Sequence, residues 1–141
     1  MTSSMAGRTE AYVDTAALIA FADGSDSHHA LFRRLCAKPP PLITTTLVVA
    51  EGHGWFLRRF DPARALQFLA LVESLRPMKI SSVGLGEQKA ATLVLRQFAD
   101  QPLTLTDAVG LYLMTSRRVH SCWSTDRHMG LTGVPLVIHL H

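Results

Sequence analysis

Ala11–Tyr12–Val13–Asp14–Thr15–Ala16–Ala17–Leu18 is a short apolar run, an acid–hydroxyl pair, and the start of a second apolar run. The first part has the length and character of a buried strand, and Thr15 to about Ala22 that of a helix. Asp14 then has two roles open to it. As a helix N-cap, its carboxylate accepts backbone N–H bonds. At the carboxyl end of a central strand, it stands where open α/β sheets place their ligands.

The rest of the chain repeats this alternation. Asp23–Ser27 is a turn cluster, and Asp26 or Ser27 caps a helix that runs to Lys38, before Pro39–Pro41. His28, Leu31, Phe32 and Leu35 form its apolar stripe. Leu42–Thr46 reads as a second buried strand, with Thr46 capping a helix that carries Glu51, Gly52 and Gly54. Two glycines in a helix interior cost about 1 kcal/mol each, which implies close packing or close ligand approach. Asp61–Pro62 starts another helix. Pro77–Ser82 is a third strand, followed by a helix with Ala91, Val94, Leu95 and Phe98 on one face. Leu103–Leu105 is a brief extended piece, and Thr106 caps a helix with Asp107 in its first turn and Arg117 and Arg118 in its last. Val119–Trp123 is a fourth strand, Ser124–Thr125–Asp126 closes it, a helical turn runs to Gly130, and Val134–Ile138 is a fifth strand. Alternating strands and helices predict an α/β fold with a parallel sheet and right-handed crossovers.

The bulk numbers fit that fold. The chain has 141 residues, 48% hydrophobic and 18% charged, which suits one domain with one core and excludes a disordered chain. Residues 1–9 read as a flexible lead-in. A net charge of +3 is compatible with a polyanionic partner without requiring one. Cys36 and Cys122, far apart and outside any C-x-x-C pair, read as reduced, buried thiols. Met1–Gly7 lacks an apolar signal core, and no apolar run reaches membrane-helix length, so the expected location is the cytoplasm.

Four acids share one structural address: Asp14, Glu51, Asp107 and Asp126 each follow a strand or open the next helix. In a doubly wound sheet those addresses converge on one edge. Converging carboxylates raise one another's pKa, and a hard divalent cation relieves the repulsion. Two other strand-end aspartate chemistries are disfavoured. A haloacid-dehalogenase phosphatase needs a second aspartate where Ala16 stands, and no G-x-G-x-x-G follows the first strand for a dinucleotide.

Tyr12–Ala20, Thr44–Glu51, Leu103–Ala108 and Ser124–Met129 together resemble the four acid-bearing motifs of PIN-domain ribonucleases, in order and spacing, over about residues 10–138. The nearest subgroup is the VapC-type toxins of toxin–antitoxin pairs. The resemblance implies a PIN-like three-layer fold with a central parallel sheet of about five strands. It implies that Asp14, Asp107 and Glu51, the last in some cases through water, bind Mg²⁺ or Mn²⁺. Asp126 is then an outer contributor, and Thr15 and Thr125 are auxiliary contacts to phosphate or water. The implied activity is hydrolysis of RNA phosphodiesters in tRNA, rRNA or mRNA, leaving 5′-phosphate and 3′-hydroxyl ends. The implied partners are an antitoxin and a second copy of the chain. The Gly52–His53–Gly54–Trp55 segment departs from the aliphatic helix of many relatives.

Other polar residues read more plainly. Arg58, Arg59 and Arg127 adjoin acid-bearing elements and are the candidate RNA contacts; such contacts position a strand without specifying sequence. Asp126 beside Arg127 also fits a surface ion pair. Trp55, Phe56 and Phe60 read as core or dimer surface. Among the histidines, His28 reads as packed or hydrogen-bonded and His29 as exposed. His53 points away from Glu51, and His128 is a structural residue at the edge of the site. His139 and His141 lie in the tail.

Overall fold

A computed structural model describes residues 9–141. Met1–Gly7, and the expected lead-in over residues 1–9 apart from Thr9, lie outside the described residues. Four strands form one sheet: β1 (Ala11–Val13), β2 (Leu42–Thr45), β3 (Met78–Ser81) and β4 (Ser121–Trp123). Among the described residues six helices accompany them: α1 (Thr15–Ala22), α2 (His29–Ala37), α3 (Thr46–Arg59), α4 (Pro62–Ser74), α5 (Leu85–Gln97) and α6 (Leu105–Arg117). The strand order is β3–β2–β1–β4 and every pairing is parallel. The chain therefore winds outward from β1 to β3 and returns to the other side of β1. The order reverses between β1 and β4, and their carboxyl ends form the crevice where such sheets bind ligands. Strands β1, β2 and β4 are wholly buried, which is why they read as continuous apolar runs rather than alternating ones.

The expected fifth strand is reduced to one parallel bridge, Cys122 to Leu136. Cys122 N–H donates to the Pro135 carbonyl at 2.9 Å, but Pro135 has no N–H to extend the ladder, and Val137–His139 turns into a 3₁₀ helix. The fourth strand starts two residues later than expected. Arg118 takes a left-handed conformation (φ 54°) and donates back to α6, so Val119 and His120 belong to the turn. Caps shift similarly. Thr45, not Thr46, caps α3, and Thr104, not Thr106, caps α6. Leu103–Leu105 pairs with no strand, and Leu105 already belongs to α6.

Two glycines set interhelical distances. A Cβ at Gly52 would collide with the ring of Phe68, so Gly52 serves the packing of α3 on α4. A Cβ at Gly110 would stand 2.7 Å from the Tyr12 hydroxyl and 2.9 Å from two atoms of its ring, so α6 seats directly on β1. The far end of α6 is held by charge. Arg117 donates through Nε and an Nη to both carboxylate oxygens of Glu10, at 2.9 Å each. Glu10 is 6% exposed. A planar guanidinium facing a buried carboxylate satisfies both oxygens at once. The sequence showed Arg117 only as a favourable charge at a helix end.

No helix among the described residues is long and apolar enough to cross a membrane. Both cysteines are free thiols, Cys122 buried and Cys36 only half-buried.

Candidate active site

Asp14 follows β1 directly and is 3% exposed. Its backbone N–H donates to the Trp123 carbonyl at 3.0 Å, which fixes it against the end of β4. Its side chain does not cap α1. The capping alternative is therefore not the one the fold uses. The carboxylate instead accepts from Ser124 Oγ at 2.8 Å. Burial pushes the carboxyl up to about 7; the Ser124 bond opposes this, the Asp107 charge adds to it, the Thr15 backbone opposes it, and the Asp126 charge adds to it. Asp107 and Asp126, 93 and 112 residues downstream, thus act on Asp14 through space.

Asp107 is the third residue of α6, and the local chemistry of a capping box places it there. Thr104 N–H donates to Asp107 Oδ2 and Asp107 N–H to Thr104 Oγ1, both at 3.0 Å. Its other oxygen makes no hydrogen bond among the described residues. Gly110, one turn on, lets α6 lie against Tyr12, and this contact carries the helix start toward the β1 corner.

Asp126 caps the 3₁₀ turn Arg127–Gly130. Its Oδ1 accepts from His128 N–H at 2.9 Å and stands 2.8 Å from His128 Nδ1. The Asp126 carboxylate meets the His128 ring and makes no ion pair with Arg127 among the described residues, because the turn folds residue 128 back over the acid. Asp126 N–H donates to Ser124 Oγ at 3.0 Å. Ser124 is fully buried, and its hydroxyl joins Asp14 to the Asp126 loop. Sequence reasoning passed over it. The available signal was a small hydroxyl residue at the end of a buried strand, at the same address as Asp14.

Glu51 is half-buried in the second turn of α3 and makes no hydrogen bond or ion pair among the described residues. It stands one turn after Leu47 on the same helix face. Leu47 packs against the small cluster of Ala91, Ala108 and Val109, next to Asp107. Among the described residues no three His, Cys, Asp or Glu side chains are grouped tightly enough to hold a metal ion as they stand. Asp107 and Asp126 each commit one oxygen to a local cap.

Among the described residues the buried Thr15 hydroxyl beside Asp14 lacks a hydrogen bond. Orphaned buried hydroxyls are rare. Tyr12 is fully buried, and its phenol is pushed up by burial first, then by the charges of Asp14 and Cys122. Thr125 is half-buried without a hydrogen bond among the described residues. Arg58, Arg59 and Arg127 are exposed. Arg58 and Arg59 share an open recess with Trp55, and Arg127 lines another with Gln101, His128 and Leu131. His29, expected exposed, is half-buried, with Nδ1 2.9 Å from the Ala20 carbonyl. His28 precedes α2 and is hydrogen-bonded as expected, its Nδ1 3.2 Å from Ser27 Oγ.

No protein-family model and no curated protein matches this chain. Solved structures do. VapC20 from Mycobacterium tuberculosis, a sarcin-ricin loop cleaving toxin, matches with a TM-score of 0.79 and 22% identity, over 88% of this chain and 95% of that one. The chain has the PIN-like fold of VapC. PAE2754 from Pyrobaculum aerophilum matches with a TM-score of 0.64 and 23% identity, over 94% of this chain and 87% of that one. The resemblance read from the four acid-bearing motifs is thus met by the fold. In this PIN-like fold Asp14 stands at the switch point of the sheet, with Asp107 in the first turn of α6 and Asp126 just after the end of β4.

Proposed function

We propose that this chain is a Mg²⁺- or Mn²⁺-dependent endoribonuclease and the toxin of a VapBC-type pair. One observation carries the reading. The Asp14 carboxyl stands at the β1–β4 switch point and is raised to about 7, by burial first and then by the charges of Asp107 and Asp126. A buried carboxylate with two further acids acting on it at the crevice of a parallel sheet fits a cation better than a purely structural role. The unbonded Thr15 hydroxyl beside Asp14 fits a contact to bound water or phosphate.

In this reading Asp14, Asp107 and Glu51 would hold the ion, with Asp126 as an outer contributor. When bound, it would supply an activated water and charge compensation at the phosphate. The chain's own residues do the rest. Ser124 fixes the Asp14 carboxylate, Thr15 and Thr125 meet phosphate or water, and Arg58, Arg59 and Arg127 hold the RNA backbone. The whole chain serves as one domain, works in the cytoplasm as a homodimer, and is held inactive by an antitoxin. The sarcin-ricin loop, cleaved by VapC20, is the first substrate to try, followed by tRNA and mRNA.

The test is incubation of the pure protein with ribosomal RNA and tRNA in Mg²⁺ or Mn²⁺, alongside Asp14→Asn. Defined cuts lost by at least a hundredfold in the variant support the reading; equal cutting by the variant refutes the role of Asp14. A second reading, a non-catalytic RNA-binding module, is favoured by the absence of a three-acid metal cluster among the described residues. Calorimetry showing no Mn²⁺ binding to the wild-type protein would select it.

A further inference from the structure

Glu51, Trp55 and Arg58 follow one another at i, i+4 and i+7, so they share one face of α3. That face leads from a candidate acid to an open recess of about 320 Å³ lined by Trp55, Arg58 and Arg59. Its size is that of small-ligand pockets, about 300–1,000 Å³. Trp55 is only partly buried. Its ring is set by edge contacts to Phe56, with centroids 4.9 Å apart, and to Phe60, at 6.1 Å. Gly54 makes room for a cation beside it: a Cβ there would lie 3.0 Å from an Nη of Arg58. The Arg59 guanidinium lies 6.0 Å from the centre of the Trp55 ring.

Neither Arg58 nor Arg59 has an ion pair among the described residues. Asp23 is held below its ordinary value by its Ser25 hydrogen bonds first and by the Arg64 and Arg59 charges last. Two unpaired cations beside a braced indole are the chemistry of single-stranded nucleic-acid sites: phosphates pair with arginine, and an unpaired base stacks on the ring.

Building on the ribonuclease reading, we infer that Trp55, Arg58 and Arg59 form a subsite for an unpaired nucleotide, away from the bond that is cut. Stacking needs a splayed base, which a duplex does not offer.

The protein contains two tryptophans, and the other, Trp123, is only 3% exposed, so fluorescence reports the subsite. The experiment titrates the full chain in EDTA with an uncleavable 2′-O-methyl oligouridylate and with a blunt duplex of equal length, and follows fluorescence and anisotropy. The expected result is saturable quenching by the single strand only. Trp55→Ala should remove the quench and weaken binding about tenfold. Arg58→Ala with Arg59→Ala should weaken it further and reduce the salt slope by about 1.4. Equal binding by the duplex, or unchanged affinity in Trp55→Ala, overturns the inference. So does an absence of quenching together with protection of Trp55 in a homodimer or by a protein partner. Cleavage that persists with an unchanged KM in Trp55→Ala removes the subsite and leaves the nuclease reading standing. Quenching without any cleavage in Mn²⁺ removes the nuclease reading and leaves the subsite standing.

Discussion

The Asp14 corner and the tip of the α3–α4 hairpin hold charge in opposite ways. At the corner a carboxylate is 3% exposed, is acted on by the charges of two other acids and accepts from the Ser124 hydroxyl. At the tip, Arg58, Arg59 and Arg64 stand in or near water around a cluster of aromatic rings. The Arg64 guanidinium lies 4.1 Å from the centre of the Phe60 ring. Charge at the tip costs the fold almost nothing, because water screens it. Charge at the corner is unfavourable, and the fold keeps it there through backbone and side-chain bonds from both strands. A group retained at such cost is the better guide to chemistry; a group that is cheap to keep is the better guide to binding.

The largest expected effect breaks the corner. Moving the carboxyl of Asp14 from 3.8 to about 7 costs folding about 4 kcal/mol once the group is ionised. The folded state binds the proton more tightly than the unfolded one, so stability is full below pH 4 and is lost as pH rises toward 7. Asp14→Asn in EDTA should therefore raise Tm at pH 8 and leave it nearly unchanged at pH 4. Urea unfolding at the two pH values checks this, and a variant destabilised at pH 8 would contradict the account of the corner.

Next is the brace that holds the far end of α6. Arg117→Ala leaves the Glu10 carboxylate buried without its partner and should destabilise by about 3 kcal/mol. A smaller loss is expected where α6 seats on β1. Gly110→Ala should cost about 2 kcal/mol through overpacking against Tyr12, and adding Tyr12→Leu should recover part of it. An unaffected Gly110→Ala would mean that α6 does not approach β1 so closely. The smallest effect belongs to the tip. Asp61 caps α4 by accepting from Arg64 N–H at 2.8 Å, and Asp61→Ala should cost about 1 kcal/mol and leave RNA cleavage unchanged.

Reading outward from Asp14 located most elements because local rules govern them. The span Thr15–Ala22 is a helix because an acid–hydroxyl pair precedes an apolar run, and Pro62 opens α4 because an aspartate precedes it. Local rules fail where two partners compete. Thr45 and Thr46 can both cap α3, and the sequence alone favoured the wrong one. Val134–Ile138 has strand composition, but a parallel edge needs N–H groups that Pro135 lacks.

The sequence by itself determined the alternation of strand and helix, the four acids and their order, and the basic residues that follow Glu51. Periodicity and capping act over a few residues, so they survive in a single chain read in one direction. Only the tertiary structure decided that Asp14 accepts from Ser124 rather than capping its own helix, that Gly52 serves Phe68 and Gly110 serves Tyr12, and that Arg117 answers Glu10. Each of these joins residues distant along the chain. Such contacts form only when the sheet closes in the order β3–β2–β1–β4, and no local pattern encodes the distance between their partners.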